Sequence, residues 1–191
     1  MVVMVMIMDK VSSMLRNNHF VSQCAHVPVR QIRQCNPMMN NDVLRSVRYM
    51  LSINNAKMVE IIKLDDFEVA VSAMDAYVIK EGEPGYEKCP DEVMAHFLNG
   101  LVFFKRGKDD KFPAPAVELP ITNNLVLKKL RVAFELKDTD MHQIFTAVDF
   151  RISKPELSAL FRKEGTKNYR PCGDQMLRYF LKGLAQRVRG E

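Results

Sequence analysis

Residues 40–48 read Asn-Asn-Asp-Val-Leu-Arg-Ser-Val-Arg, and residues 123–131 read Asn-Asn-Leu-Val-Leu-Lys-Lys-Leu-Arg. These stretches open a match that runs without a gap from Asn40 to Gly107 and from Asn123 to Gly190, at a constant offset of 83 positions. Of the 68 paired positions, 22 are identical. A gapless match of this length indicates an internal duplication, and two copies are too few for a solenoid.

Each copy has the apolar spacing of four amphipathic helices. In the first helix, apolar residues recur at i, i+1, i+4, i+7 and i+8, which places them on one face of a helix with 3.6 residues per turn. No stretch alternates long enough to build a sheet. The sequence therefore predicts an all-α fold of two tandem four-helix repeats with a pseudo-two-fold relation, either as two packed modules or as one eight-helix domain.

Two local signals mark where helices begin. The asparagine pair at the start of each copy is expected to cap the first helix through a side-chain oxygen. In the second copy, Ser153 and Glu156 have the spacing of a capping box, with Pro155 in the first turn, where its missing N–H costs nothing. Both signals predict helix starts at defined positions.

A glycine lies inside the fourth helix of both copies, at Gly100 and Gly183. A glycine in a helix interior costs about 1 kcal/mol relative to alanine. Its presence in both copies predicts that another helix crosses there too closely for a β-carbon.

The repeats divide the chain into four parts. Residues 39–107 and 123–190 are the helical repeats, and residues 108–122 form a proline-containing linker that we expect to be extended and semi-rigid. Residues 1–38 are rich in methionine and show no sustained helical period, so we interpret them as a disordered or non-native N-terminal extension. A regulatory or partner-binding tail is the alternative for this segment.

Composition indicates the class of protein. Hydrophobic residues make up 47% of the chain and charged residues 27%, as in soluble globular proteins. No apolar run is long enough for a membrane helix, and the apolar start lacks the flanks of a signal peptide. The four cysteines show no paired spacing, which favours a reducing compartment. We therefore expect a cytoplasmic protein, without a membrane partner, that is a monomer or a homodimer.

The two copies carry opposite charge. Residues 40–107 contain 8 Lys and Arg against 11 Asp and Glu, a net charge of −3. Residues 123–190 contain 14 against 7, a net charge of +7. An anionic partner should therefore prefer the positively charged second copy.

A basic stripe is predicted on the last helix. At helical spacing, Arg178, Lys182 and Arg189 fall on one side, opposite the apolar face, and Lys128 and Lys129 add charge in the same copy. These five cations are the candidate surface for an anion or a nucleic acid, whose binding would fall steeply with salt. The alternative is an ordinary solvated helix face.

Two further sets of residues invite a chemical interpretation. Cys89 and Cys172 precede the fourth helix of each copy, where a helix dipole can lower a thiol pKa, although packing at a helix start is the alternative. Arg48 and Arg131 lie at the edge of the buried stripe and are expected to form structural polar pairs with carboxylates, for which Asp66 and Asp149 are the candidates.

Other catalytic and metal-binding signatures are missing from the sequence. The four histidines show no ligand spacing with each other or with the cysteines. There is no glycine-rich phosphate loop or dinucleotide fingerprint. We therefore nominate no catalytic residue and no metal ligand, and we expect no cofactor.

Three stretches resemble a known family. Residues 40–49 (NNDVLRSVRY), 89–101 (CPDEVMAHFLNGL) and 172–184 (CGDQMLRYFLKGL) are similar to the YehS-like family of bacterial proteins. The resemblance covers about residues 39–190 and implies a tandem-duplicated helical domain of unknown function in a bacterial cytoplasmic protein that starts near Met39. Residues 1–37 depart from the family pattern.

The sequence leaves three functions, in order of preference. A non-catalytic module that binds a protein partner comes first, because the duplicated residues are mainly scaffold. A protein that binds RNA or DNA through the basic second copy comes second. A small-molecule enzyme comes third, since no acid–base pair or activated nucleophile stands out.

Overall fold

A computed structural model describes residues 38–108 and 115–190, all within the compact unit Cys35–Glu191. Apart from Met38, the predicted N-terminal extension lies outside the described residues. In the first repeat the helices are α1 (Asn40–Leu51), α2 (Asn55–Lys63), α3 (Val71–Val78) and α4 (Asp91–Arg106). In the second repeat they are α5 (Asn123–Ala133), α6 (Asp138–Thr146), α7 (Lys154–Ala159) and α8 (Asp174–Arg189). The described ranges contain no strand, which confirms the all-α prediction.

The first and last helices of each repeat pack against the last and first helices of the other repeat. Helix α1 packs against α8, and α4 packs against α5, so each repeat offers the same two helices to the other. The contacts repeat at the same offset as the sequence. The Arg106 Nε lies 3.2 Å from Oε1 of Glu135, and Arg189 donates to Oγ of Ser52 over 2.7 Å. These reciprocal contacts are those of a pseudo-two-fold arrangement.

One hydrophobic core serves both repeats. The largest fully buried side chains include Phe97 of the first repeat and Phe145 and Phe180 of the second, and buried residues from both repeats form a single cluster. Burying apolar surface between α1 and α8 and between α4 and α5 therefore joins the repeats as one eight-helix body.

The glycines in α4 and α8 stand where helices cross. A β-carbon on Gly100 would lie 1.9 Å from the carbonyl oxygen of Ile61 in α2. A β-carbon on Gly183 would lie 2.4 Å from the carbonyl oxygen of Ile144 in α6. Both distances are far inside van der Waals contact, so the predicted close crossing is confirmed in both repeats.

The asparagine pair has a different role from the predicted cap. The N-cap of α1 is Met39, and the N-cap of α5 is Thr122, whose hydroxyl accepts from the Leu125 N–H over 3.2 Å. The asparagines are the first two helical residues, and their side chains bond to other segments: the Asn40 amide donates to the Cys89 carbonyl and to the Asp91 carboxylate. The cap prediction was therefore wrong for this pair.

The second asparagine of each pair instead joins three segments. The Asn41 side chain is completely buried, and its amide donates to the carbonyls of Tyr77 and Glu87 over 2.9 and 2.7 Å. Its oxygen accepts from the Cys89 N–H over 3.0 Å. Asn124 makes the equivalent three bonds, to Leu160 O, Arg170 O and Cys172 N. The side chain thus holds the end of the third helix, the following loop and the start of the fourth.

The capping box of α7 is confirmed. The Ser153 hydroxyl accepts from the Glu156 N–H over 3.3 Å, and the Glu156 carboxylate accepts from the Ser153 N–H over 3.0 Å. Together with a bond from the Ser153 hydroxyl and one from Arg170, these bonds lower the pKa of Glu156 to about 2. The carboxylate therefore stays ionised through the ordinary pH range.

We expect Gly100→Ala to lower the free energy of unfolding by about 2 kcal/mol or more, because the backbone of α2 must move to admit the methyl group. Gly183→Ala should cost less, since its β-carbon would lie 2.4 Å rather than 1.9 Å from the facing oxygen. Gly173→Ala is the control, because nothing lies within 4 Å of its β-carbon position. Urea unfolding followed by circular dichroism measures all three, and equal losses at Gly100 and Gly173 would contradict the close crossing.

Replacing Asn41 should be more damaging than replacing an exposed capping asparagine. Asn41→Ala leaves two carbonyls and one N–H without partners in the interior, at about 1–3 kcal/mol each. Asn41→Asp should also destabilise, because a carboxylate oxygen would face two carbonyl oxygens. Asn54→Ala is the matched control, since it removes one exposed N-cap bond worth about 1 kcal/mol. Urea unfolding again measures the free energy of unfolding of each variant. Similar losses of stability for Asn41→Ala and Asn54→Ala would count against the role of Asn41.

Candidate interaction surface

The two helix pairs that join the repeats, α1 with α8 and α4 with α5, form two equivalent grooves on the surface. The linker groove lies between α4 and α5 and is covered by residues 115–121. The open groove lies between α1 and α8 and has a volume of about 500 Å³. Since α1 corresponds to α5 and α8 to α4, the same surface occurs once with the linker on it and once without.

Three linker residues, Pro115, Glu118 and Ile121, contact the helices of the groove. The Asn99 amide donates to the Pro115 carbonyl over 3.2 Å, and the Ile121 N–H donates to the Asp91 carboxylate over 3.1 Å. Between them, Oε1 of Glu118 lies 3.7 Å from Nζ of both Lys128 and Lys129. The described part of the linker is thus held against the helices at Pro115, Glu118 and Ile121.

The open groove has basic residues on both walls and one acidic residue, Asp42, on the α1 wall. Its polar lining from α1 comprises Asp42, Arg45 and Ser46, and that from α8 comprises Arg178, Lys182 and Gln186. Oδ1 of Asp42 pairs with Arg45, and its Oδ2 lies 3.6 Å from the Arg178 guanidinium, which ties α8 to α1. Among the described residues, no carboxylate lies within 4.0 Å of Nζ of Lys182. Lys182 is therefore a cation exposed at the groove.

The three cations of the predicted basic stripe on α8 have different environments in the structure. Arg178 pairs with Asp42 across the repeat interface. Arg189 donates to the Tyr49 carbonyl over 3.0 Å, and its guanidinium lies 4.3 Å from the centre of the Tyr49 ring. A cation at these last carbonyls of α1 complements the negative end of the helix dipole. The stripe therefore holds the repeats together at two of its positions and faces the groove at Lys182.

The two other candidate cations also differ in environment. Lys128 is half exposed beside Glu118, whereas Lys129 is only 9% exposed. Nζ of Lys129 donates to Oδ1 of Asn99 over 2.7 Å. Burial lowers the pKa of Lys129, and the nearby Glu118 carboxylate partly offsets this effect. Lys129 is thus an interior cation of the repeat interface, which its place in the sequence did not suggest.

A buried polar network extends from this lysine. The Asn99 amide donates to Oδ2 of Asp65 over 3.1 Å, and the same oxygen lies 2.7 Å from Nδ1 of His96. The His96 ring stacks on Phe67 with centroids 4.2 Å apart. The side chains of Asp65 and His96 are 5% and 15% exposed, so the network is largely closed to solvent.

Sequence reasoning did not assign this network. Its signal was the difference between the copies, because Val148, Tyr179 and Lys182 stand at the positions equivalent to Asp65, His96 and Asn99. The network therefore exists only where α4 meets α5. It cross-links the repeats beneath the linker by satisfied hydrogen bonds.

The arginine pairs have partners other than those predicted. Arg48 donates to Oδ1 of Asn55 over 2.9 Å, while the Asp66 carboxylate lies 3.2 Å from Nζ of Lys108. Arg131 pairs with Asp138, the equivalent of Asn55, at 2.8 Å. Asp66 and Asp149 both have positive φ, of 55° and 56°, in the turn after the second helix. This turn places the two aspartates away from the arginines, so the predicted pairing is corrected.

The two thiols lie in apolar surroundings. Cys89 is completely buried and Cys172 nearly so, and both are free thiols. Burial, and then the neighbouring Asp91 or Asp174, raises the pKa of each to about 12. A neutral, buried thiol is a poor nucleophile, so the burial of Cys89 and Cys172 favours the packing interpretation over activation by the helix dipole.

Two other kinds of site are absent from the described residues. No group of three or more His, Cys, Asp or Glu side chains in residues 38–108 and 115–190 could hold a metal ion. In the same ranges, no helix combines the length and apolar character needed to cross a bilayer. His19, His26, Cys24 and Cys35 lie outside these ranges.

Comparisons with known proteins support the duplication. The model of a family described as protein of unknown function (DUF1456) matches residues 40–107 and again residues 123–190. The chain is 51% identical over 150 residues to the uncharacterized protein YehS of Escherichia coli strain K12, covering 78% of this chain and 96% of the relative. No solved structure matches. The resemblance found in the sequence is thereby confirmed.

We expect native Cys89 and Cys172 to be alkylated by iodoacetamide about 100-fold or more slowly than in urea, because the folded thiols are buried and protonated. Thiol ionisation also opposes folding, since the folded pKa of about 12 exceeds the ordinary value of 9.0. This contribution to stability is complete below pH 9 and is lost as the pH rises toward 12. Peptide mass spectrometry resolves the four cysteines, and comparable native and unfolded rates would contradict the burial.

Proposed function

The chain belongs to the DUF1456 family, and we propose that it is a non-catalytic helical module that binds another protein. The observation that carries this proposal is the open groove between α1 and α8. It has the volume of a binding cleft, it lies at the junction of the repeats, and a solvent-exposed lysine stands at its wall. We also propose that the protein is cytoplasmic, as the sequence predicts.

The contacts of the charged residues favour a protein partner over a nucleic acid. A phosphate-binding stripe needs several free cations in a row along the surface. On α8, Arg178 and Arg189 are engaged with the first repeat, and on α5, Lys129 is buried. What remains at the groove is a mixed surface of amides, hydroxyls, apolar side chains and one exposed lysine, which suits a peptide.

The state of the thiols and of the histidine network supports a non-catalytic role. Cys89 and Cys172 are buried with raised pKa values, and the His96–Asp65 pair is used within the repeat interface. Each of these groups has a structural partner, and each is covered by packed side chains.

Nucleic-acid binding through the second repeat is the second candidate. It is favoured by the net charge of +7 on residues 123–190. The exposed lysines of α7 and the loop after it, Lys154, Lys163 and Lys167, would then provide the phosphate contacts.

Capture from a bacterial lysate, with and without nuclease and at two salt concentrations, tests the proposed function. We expect a discrete protein partner that is retained by the full chain after nuclease treatment. The same partner should be retained by the variant Lys154→Glu/Lys163→Glu/Lys167→Glu, which reverses the exposed charge but leaves the interface arginines intact.

The nucleic-acid alternative gives the opposite pattern. Capture would then disappear after nuclease treatment, fall steeply between low and high salt, and be abolished in the triple variant. That result would overturn the protein-binding proposal.

A further inference from the structure

The pseudo-two-fold arrangement allows each groove to be compared position by position with the other. Arg45 corresponds to Lys128, and Ser46 corresponds to Lys129 on the first helix of each repeat. On the last helix, Lys182 corresponds to Asn99. The floor is shared, because buried Leu98 and Leu181 occupy the same position in α4 and α8.

Each groove has one central lysine, contributed by opposite helices. In the linker groove it is Lys129 of α5, which faces Asn99 of α4. In the open groove it is Lys182 of α8, which lines the groove together with Ser46 of α1. Each groove therefore has a lysine on one helix and a small polar residue at the facing position of the other helix. The lysine lies on the first helix of the repeat in the linker groove and on the last helix in the open groove.

The linker shows what this surface binds. Its Pro115 carbonyl accepts a hydrogen bond from Asn99, the α4 position that carries Lys182 in α8. Its one carboxylate, Glu118, lies 3.7 Å from the central lysine. In the open groove, no carboxylate of the described chain takes that place beside Lys182.

Apart from Met38, the lining of the open groove in the described ranges comes from α1 and α8 alone. Met38 corresponds to Ile121, the last linker residue before the second repeat. Among the described residues, no segment covers the open groove as residues 115–120 cover the linker groove; residues 32–37, which correspond to them by the offset of 83, lie outside the described residues.

From this comparison we propose that the open groove binds an acidic segment of a partner protein, as the linker groove binds residues 115–121. The segment carries a Glu or Asp beside Lys182 and small apolar residues over Leu181 and Ala185. A backbone carbonyl of the segment accepts a hydrogen bond from Lys182 or Gln186. This inference rests on the proposed function and names the site and the chemistry of the partner.

The test uses the linker sequence as a probe. A fluorescein-labelled peptide, Pro-Ala-Val-Glu-Leu-Pro-Ile, is titrated with the full chain and followed by fluorescence polarisation. We expect saturable binding, weakened about tenfold or more by Lys182→Glu, because a like charge then faces the peptide carboxylate. Lys167→Glu makes the same charge change on an exposed lysine of the same repeat and should leave affinity within about twofold.

A charge exchange separates direct contact from a structural effect. The peptide with Lys in place of its Glu should bind the wild-type chain weakly and should regain affinity for the Lys182→Glu variant. A merely destabilised variant would not show this recovery.

Other outcomes overturn the groove assignment. Binding that is insensitive to Lys182→Glu would place the peptide elsewhere. Absence of binding by the wild-type chain would show that the groove does not take such a segment. Binding of a single-stranded oligonucleotide with the same dependence on Lys182, and none of the peptide, would make the occupant a nucleic acid.

The lysate experiment keeps the two proposals apart. A nuclease-resistant protein partner that Lys182→Glu still captures would uphold the proposed function and refute the groove assignment. Loss of every protein partner after nuclease treatment would refute the proposed function itself.

Discussion

Each repeat depends on one side-chain amide, that of the fully buried Asn41 in the first repeat and that of the half-buried Asn124 in the second. It donates twice and accepts once, and so ties the first helix to the end of the third, to the following loop and to the start of the fourth. Aspartate cannot make the two donations, and serine cannot reach all three partners. The close crossing at Gly100 and Gly183 then brings the second helix onto the fourth at backbone contact. Together these constraints make the unit that is duplicated.

In the whole protein, the first helix of each unit packs against the last helix of the other. The two resulting interfaces are formed by equivalent helices. At the α4–α5 interface, Lys129, Asn99, Asp65 and His96 form a buried network beneath the linker. At the α1–α8 interface, the equivalent positions carry residues that leave a groove with an exposed lysine. The duplicated residues therefore build the scaffold, and the residues that differ between the copies decide that one interface holds a buried polar network and the other has an exposed lysine at a groove.

The candidate site was predicted in parts. The sequence identified Lys182 as a surface cation, but it grouped it with Arg178 and Arg189, because helical periodicity shows only which residues share a face. That face meets α1, so the arginines are used between the repeats. Lys129 was taken as a surface charge, although it is buried against Asn99. The thiols were placed correctly at helix starts, but the apolar packing that raises their pKa values comes from other helices.

The sequence by itself determined the helical class, the duplication, the close helix crossing and the capping box of α7. Each of these depends on residues near one another in the chain, or on a repeat that is visible by alignment of the chain with itself. Only the tertiary structure decided which helices exchange partners, that the linker occupies one groove and not the other, and that Arg48 pairs with Asn55 rather than Asp66. These outcomes depend on distances between segments far apart in the chain, and a local pattern of polar and apolar residues does not contain those distances.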